Sequence, residues 1–479
     1  MKYKERVINI KKQPNPKKGP PKKPNDCRCN RPEIERQVNN PDNGTDQSET
    51  SLAYFQNFIL YGFNNNAGSG FAFSNNLGQT WTDGGLIPPP QQGGVNAGDP
   101  TITVDKNGIF YYGSLGTAVI AGNTEGVINV STGIINPNGT ITMNPSQTVG
   151  RGQNPNSDIG SQDKPWITVG PDKSTPGAEA LYAAWVDFTN PGGGTKIRFS
   201  KHRTGVNLTE LIPSNTIISG TNEVFGPFIV VDKQGNIYVF YESRLPGTFR
   251  NINTQNRSIR MAKSTDGGNT FPIDIQVSAG LFEAAANSVA KCETLNNGIV
   301  NERPVISVNN QRVIRMFEIP QAAIGQDGTI YVVWNAGSTV GGVKNINVFL
   351  AYSQDGGNNW NRINITNNLS FSFFPSVTAN CKGAHIQYNR FNDPNNTGNT
   401  GNGTFGIFMK SFSLNTGLSQ ERVISNPSSQ VTINNVCYMG EYNQVISGPG
   451  SCLLHSWSDN RNIINGQPNA DVFFRLTSS

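Results

Sequence analysis

Two short patterns recur along this chain at one shared, uneven spacing, so its core must be assembled from repeated units. In the first pattern an apolar strand ends in Ser and runs into a Gly-containing polar turn. It appears as AFSNNLGQTW (72–81), AKSTDGGNTF (262–271) and AYSQDGGNNW (351–360). Strands ending at Ser131, Ser200 and Ser411, and the C-terminal VFFRLTSS, are weaker versions. The second pattern is Pro-x-apolar-x-Val, a Gly-containing turn and an aromatic strand, as in DPTITVDKNGIFYYGS (99–114) and GPFIVVDKQGNIYVFYESR (226–244). Its prolines at 100, 165, 227, 320 and 375 alternate strictly with the serines at 74, 131, 200, 264, 353 and 411.

Both pieces alternate apolar and polar residues as strands do, and Gly turns join them as hairpins. With 52 Gly, 29 Pro and only 15% charged residues, little of the chain favours helix. The expected fold is all-β. Each unit supplies about four strands and buries no core alone, so the units are expected to stand radially as a β-propeller. ETSLAYFQNFILYGFN (49–64) reads as a diverged first copy, giving seven blades, with six as the alternative. The stretch LFEAAANSVAKCETLNNGIVNER (281–303) reads as an insertion with helical character.

The Ser-ended turns resemble the Asp box, Ser-x-Asp-x-Gly-x-Thr-Trp, of sialidase-like (BNR) propellers. The resemblance covers residues 49–479, and its structural positions are Ser74, Trp81, Ser264, Asp266, Gly268, Ser353, Asp355, Gly357 and Trp360. The Asp caps turn N–H groups, with Asn76 standing in for it in the first copy, and the glycine supplies positive φ. MFEIPQAAIG (316–325) differs by one residue from the Phe-Arg-Ile-Pro segment of sialidases. That family's Arg grips a substrate carboxylate with a planar fork. Here Glu318 occupies the position and would repel sialic acid.

The second strands of the units end on one face of such a propeller, carrying Asp187, Glu242, Arg244, Asn335, Arg390, Asp459 and Arg461. Arg244, Arg390, Arg461, Asp459, Glu318 and Asn335 are the candidate ligand-binding residues. Tyr241 beside Glu242 matches the Tyr nucleophile and Glu of sialidases, so Glu242, Asp187 and Tyr241 are the candidate catalytic residues. Alternation, however, puts Tyr241 and Glu242 on opposite faces of a strand. The expected function is a surface-exposed, glycan-binding or adhesive module. A glycoside hydrolase, such as a diverged exo-sialidase, is the alternative, and a structural surface component without a small ligand is the third reading. The three histidines, at 202, 385 and 455, are too scattered for a metal site, and no cofactor motif is present.

Residues 1–36 hold twelve Lys/Arg against four Asp/Glu in a Pro-rich stretch. Residues 1–45 are therefore expected to be a disordered basic tail, and 46–479 the propeller. The tail suits tethering through residues 1–36 to an acidic surface, with glycans favoured over nucleic acid as the partner of the body. There is no apolar run long enough to span a membrane and no Sec-type signal at the start. An extracellular or particle-surface location, of spore or virion type, fits that combination. Cys27 and Cys29 are expected to be free to cross-link to another chain, and Cys437 and Cys452 to be close enough to bridge.

Overall fold

A computed structural model describes residues 27–39, 46–66, 68–154, 156–189, 194–218, 222–294, 300–308, 312–367, 370–393, 399–431, 437–464 and 466–479. Among them the regular structure is strand throughout, apart from one 3-10 turn at Ile159–Ser161. No helix of the described residues is long and apolar enough to cross a membrane.

The strands form eight antiparallel sheets. Seven have four or five strands, and their first strands are Gln47–Phe55, Asn96–Val104, Gln162–Pro171, Glu223–Val231, Gln321–Ile324, Ser372–Asn380 and Gln444–Ser447. All seven first strands line one central channel of about 320 Å³, into which Leu52, Ile102, Ile167, Ile229, Ala322, Val377 and Val445 project. The sheets therefore stand radially about an axis, and the chain is an all-β propeller.

Three Ser-ended turns fasten the first, fourth and fifth sheets to the sheet before each in the ring. Ser74, Ser264 and Ser353 accept the N–H of Gly78, Gly268 and Gly357 at 2.8, 2.9 and 2.9 Å. Their hydroxyls donate to Asn76, Asp266 and Asp355 at 2.9, 2.7 and 2.8 Å. Those oxygens in turn accept the N–H of Thr80, Thr270 and Asn359 at 3.0, 3.0 and 2.9 Å. The glycines sit at φ 82°, 98° and 90°. A Cβ on Gly268 would lie 2.7 Å from Phe199, one on Gly357 2.7 Å from Met261, and one on Gly78 inside the Phe474 ring. Each of those partners lies on the third strand of the preceding sheet. Trp81 packs on Phe474 at 5.1 Å and Trp360 on Phe240 at 6.0 Å, adding apolar area at the same seams.

Three features differ from what the sequence suggests. The first is the start of the body: residues 27–39 are part of it. Ile34–Gln37 is the fourth strand of the seventh sheet, paired with the C-terminal strand, and Glu33 and Glu35 meet Arg475 at 3.5 Å. Of the expected tail, residues 1–26 and 40–45 lie outside the described residues.

The second is the cysteines, all of which are bridged within the chain, as Cys27–Cys381, Cys29–Cys452 and Cys292–Cys437. Cys452 thus pairs with the N-terminal arm and not with Cys437.

The third is the insertion, which is an eighth sheet of Ser288–Thr294, Val300–Ser307 and Val313–Arg315. Its alanines 284–286 have helical propensity. They are instead fully buried as irregular chain against Ile306, Ile314 and Ile346, and the apolar burial overrides the local preference.

Candidate functional site

Five first strands shift register at the same place, between Ser48 and Ser51, Gly98 and Thr101, Asp163 and Trp166, Phe225 and Phe228, and Phe373 and Ser376. Inside each bulge one residue is left-handed: Glu49 (φ 53°), Asp99 (52°), Lys164 (50°), Gly226 (57°) and Phe374 (48°). Four of the five are not glycine, and such strain persists only where surrounding structure holds it. A bulge re-aims a side chain, and here it makes three charged ones converge.

Lys164 Nζ lies 3.6 Å from Glu49 Oε1, 4.0 Å from Asp99 Oδ2 and 3.6 Å from Glu441 Oε2. It also sits 3.7 Å above the ring of Tyr442, whose hydroxyl donates to the Pro100 carbonyl at 2.8 Å. Glu49, Lys164 and Glu441 are buried, while Asp99 keeps 15% of its side chain exposed and is the member that meets solvent.

Glu49 and Asp99 thus converge on one lysine Nζ and on Asn64, and the charge of Asp99 bears on Glu49. Burial, and then the charge of Asp99, push the Glu49 carboxyl up to about 8 despite Lys164. Burial also raises Asp99 to about 6, against the pull of Lys164, and Asp163 to about 6. Lys164 would lose its proton to burial alone, yet the four surrounding carboxyls hold it above the ordinary lysine value. Of the cluster's carboxyls Glu49 is raised furthest, and it is the one best suited to keep a proton near neutral pH.

The wall beside this pair is polar. Asn64 Nδ2 donates to Glu49 Oε2 at 3.1 Å and to the Tyr438 hydroxyl at 2.5 Å, while its Oδ1 accepts the Asp99 N–H at 2.7 Å. Ser48, Asn64, Asp99, Tyr438 and Asn460 line a cavity of about 370 Å³. From the inserted sheet, Arg315 Nε reaches Glu441 Oε1 at 2.6 Å, and its guanidinium lies 4.6 Å from the centre of the Tyr438 ring.

The residues singled out from the sequence fall elsewhere. Asp187 is fully buried and held by Arg198 Nε at 2.8 Å, Thr189 N at 2.8 Å and Gln153 N at 3.1 Å. Burial raises its carboxyl, but the bonds from Thr189, Gln162 and Arg198 outweigh that and hold it below the usual range. The Tyr241 hydroxyl donates to Asp274 on the outermost strand of the fourth sheet at 3.0 Å. Asn335 donates to the Phe317 carbonyl at 3.1 Å. Arg390 pairs with Glu421 at 2.7 Å and lies 4.1 Å over Phe408. Arg461 joins Glu35 at 2.7 Å to Asp459, which also accepts from Trp457 Nε1 at 2.9 Å.

Besides the Asp459–Arg461 pair, Glu242, Arg244 and Glu318 come together. Glu242 Oε1 lies 3.1 Å from Arg244 Nε and 3.6 Å from Arg257 Nε, and Glu318 Oε2 lies 3.0 Å from the same Arg257 nitrogen. Glu318 also accepts the Ala285 N–H at 2.7 Å. Burial first, and then the charge of Glu242, push it to about 8 against the pull of Arg257. Glu318 thus fastens the insertion to the fourth sheet.

Sequence reasoning did not assign Glu49, Asp99, Asp163, Lys164, Glu441 or Arg315 to a site. The available signal was a charged residue just before the repeat proline, at Asp99 and Lys164.

The chain matches no family model, and no curated protein matches its sequence. Similar solved structures include a protein of unknown function from Dyadobacter fermentans, at 12% identity over 93% of this chain and 98% of that one, with a TM-score of 0.43. Another is the GH93 α-L-arabinofuranosidase of Fusarium graminearum with arabinobiose, at 10% identity over 93% and 98%, TM-score 0.46. A third is the intramolecular trans-sialidase of Ruminococcus gnavus with oseltamivir carboxylate, at 13% identity over 90% and 94%, TM-score 0.41.

Proposed function

We propose that this propeller hydrolyses glycosidic bonds in neutral carbohydrates, with Asp99 as the proton-transferring carboxyl and Glu49 as the proton store behind it. The observation that carries this reading is the convergence of Glu49 and Asp99 on Lys164, both held in left-handed backbone on adjoining sheets beside a polar cavity. Carboxyls tuned close to neutral pH suit general acid–base work, and glycoside hydrolysis needs two of them. Asp163, also raised to about 6 and close enough to raise Asp99 by its charge, is the second. Carboxyls outnumber the two cations Lys164 and Arg315 here, so the cavity disfavours an acidic sugar. Its Ser48, Asn64 and Asn460 groups suit hydroxyls.

The test is release of reducing ends from a panel of neutral and sialylated oligosaccharides. Release from neutral sugars, reduced about a hundredfold or more in Asp99→Asn, is expected. Undiminished release by Asp99→Asn overturns the assignment. Retention of sugar without release would instead support a glycan-binding, adhesive module, the reading favoured by the Asn-rich wall alone.

Three bridges among six cysteines support an extracellular or particle-surface location, where thiols oxidise.

A further inference from the structure

The carboxyl cluster is answered by two cations of different origin. Lys164 belongs to the third sheet, whereas Arg315 ends the inserted sheet. The insertion is fixed at this place by two contacts with the segment that leads into the seventh sheet. Cys292 is bridged to Cys437, and the Arg315 N–H donates to the Cys437 carbonyl at 2.8 Å. The next residue along that segment is Tyr438, and Glu441 follows, so one tether delivers the arginine to both of its partners.

From Arg315 two lines of contact run into the site. One passes through the Tyr438 ring to Asn64, and from Asn64 to Glu49 at 3.1 Å and to the Asp99 N–H at 2.7 Å. The other passes through Glu441 to Lys164.

We infer that Arg315 is a positioning residue of this site, and that the inserted sheet, locked by the Cys292–Cys437 bridge, is the device that presents it.

The inference rests on the hydrolase reading and adds to it the part that sets the protonation of the cluster. The facing groups are Glu49 from the first sheet, Asp99 from the second, Asp163 and Lys164 from the third, and Tyr438, Glu441 and Tyr442 ahead of the seventh. Burial and Glu441 raise Asp163, while Lys164 and, less strongly, Arg315 lower it by their charge. Removing the guanidinium, which pairs with Glu441 at 2.6 Å, leaves Asp163 facing Glu441 with less counter-charge. Its carboxyl must then rise, and the deprotonation limb of the pH–rate profile must rise with it.

The experiment compares the pH dependence of kcat/KM for the full chain, Arg315→Gln, Arg315→Lys and Cys292→Ala/Cys437→Ala. Arg315→Gln is expected to move the acidic limb upward by about one unit. Arg315→Lys, which keeps the charge but loses the fork, should move it less, and the bridge-less variant should move it in the same direction. A role confined to packing would lower activity at every pH without moving the limb, and that result overturns the inference. Should Arg315→Gln not fold, the limb of Arg315→Lys decides on the same terms. Should the wild-type chain release no sugar, the hydrolase reading has failed. Carboxyl carbon NMR titration of Asp163 in wild type and Arg315→Lys then decides this inference separately, an unmoved midpoint overturning it.

Discussion

Glu49 and Asp99 occupy the same bulge position on adjoining sheets, both left-handed, and their carboxyls converge on Lys164 Nζ at 3.6 and 4.0 Å. Two like groups so placed cannot both ionise cheaply, so one of them keeps a proton. Glu49→Gln preserves the size and a hydrogen-bond donor but carries no transferable proton. It is expected to lower kcat by about 10²- to 10⁴-fold while leaving the thermal midpoint within a few degrees of wild type. Steady-state kinetics beside a melting curve check this. Full activity in the variant would remove Glu49 from the mechanism.

The same proton makes stability depend on pH. The Glu49 carboxyl is raised from 4.5 to about 8 in the folded chain. Between those values the folded state holds a proton that the unfolded state has released, so stability falls as pH rises. The contribution is fully present below 4.5 and is lost on approaching 8. Its slope is at most about 1.4 kcal/mol per pH unit for one group. Urea midpoints at pH 5, 6.5 and 8 should decline in wild type and decline less in Glu49→Gln. Parallel lines for the two proteins would show that Glu49 does not hold the proton.

The radial fold was legible because strand alternation, Gly turns and the Ser-ended boxes are all local, and local signals survive in a single sequence. The site was legible only in fragments. Asp99 and Lys164 stand before their prolines in plain view, but Glu49 lies in the diverged first copy, where no proline marks the bulge. Arg315 arrives from an insertion outside the repeat. Position alone misled at Asp187, Arg390 and Arg461. Asp187 ends its second strand and Arg390 and Arg461 lie near the ends of theirs, yet Arg198, Glu421 and Glu35 respectively pair with them. Glu318 does stand where a sialidase would carry arginine. In the fold it is buried beside Arg257, at the start of the third strand of the fourth sheet, and bonds to that guanidinium at 3.0 Å.

The contribution of Arg257 to this cluster can be tested by Arg257→Met. Arg257 is fully buried and is the cation between Glu242 and Glu318, with its Nη2 donating to the Phe249 carbonyl at 2.6 Å. Deleting it leaves two buried carboxyls with a reduced counter-charge, and removing one partner of such a network costs about 3–5 kcal/mol. Adding Glu318→Gln to Arg257→Met should recover part of the loss, because it removes a buried carboxyl left without its partner. Denaturant unfolding of the single and double variants reads both effects. A double variant no more stable than the single one would mean that packing, and not charge, sets the cost.

The box glycines should differ sharply from turn glycines of similar backbone. Gly268 has φ 98° and its added Cβ would meet Phe199 at 2.7 Å, whereas Gly177 has φ 79° with nothing within 4 Å. Both Ala variants bear the left-handed strain of about 1 kcal/mol, but only Gly268→Ala also forces apart the third and fourth sheets. It should lose about 1–3 kcal/mol more than Gly177→Ala, the range for overpacking a tight site. Equal losses would show that the seam is looser than the contact implies.

The N-terminal arm closes the ring, and its two bridges make that closure covalent. Cys27 is tied to Cys381 in the sixth sheet and Cys29 to Cys452 in the seventh, across separations of 354 and 423 residues. Between these bridges and the body, Ile34–Gln37 completes the seventh sheet. Loops of this length restrict the unfolded chain strongly, so each bridge is expected to contribute about 2–4 kcal/mol. Without them the fourth strand still has its ladder, together with the bond from Arg461 to Glu35 at 2.7 Å. Cys29→Ala/Cys452→Ala should therefore lower the unfolding midpoint yet leave the hydrogen-exchange protection of residues 34–37 measurable under native conditions. Complete loss of protection there would show that the bridge, and not the strand pairing, holds the arm to the propeller.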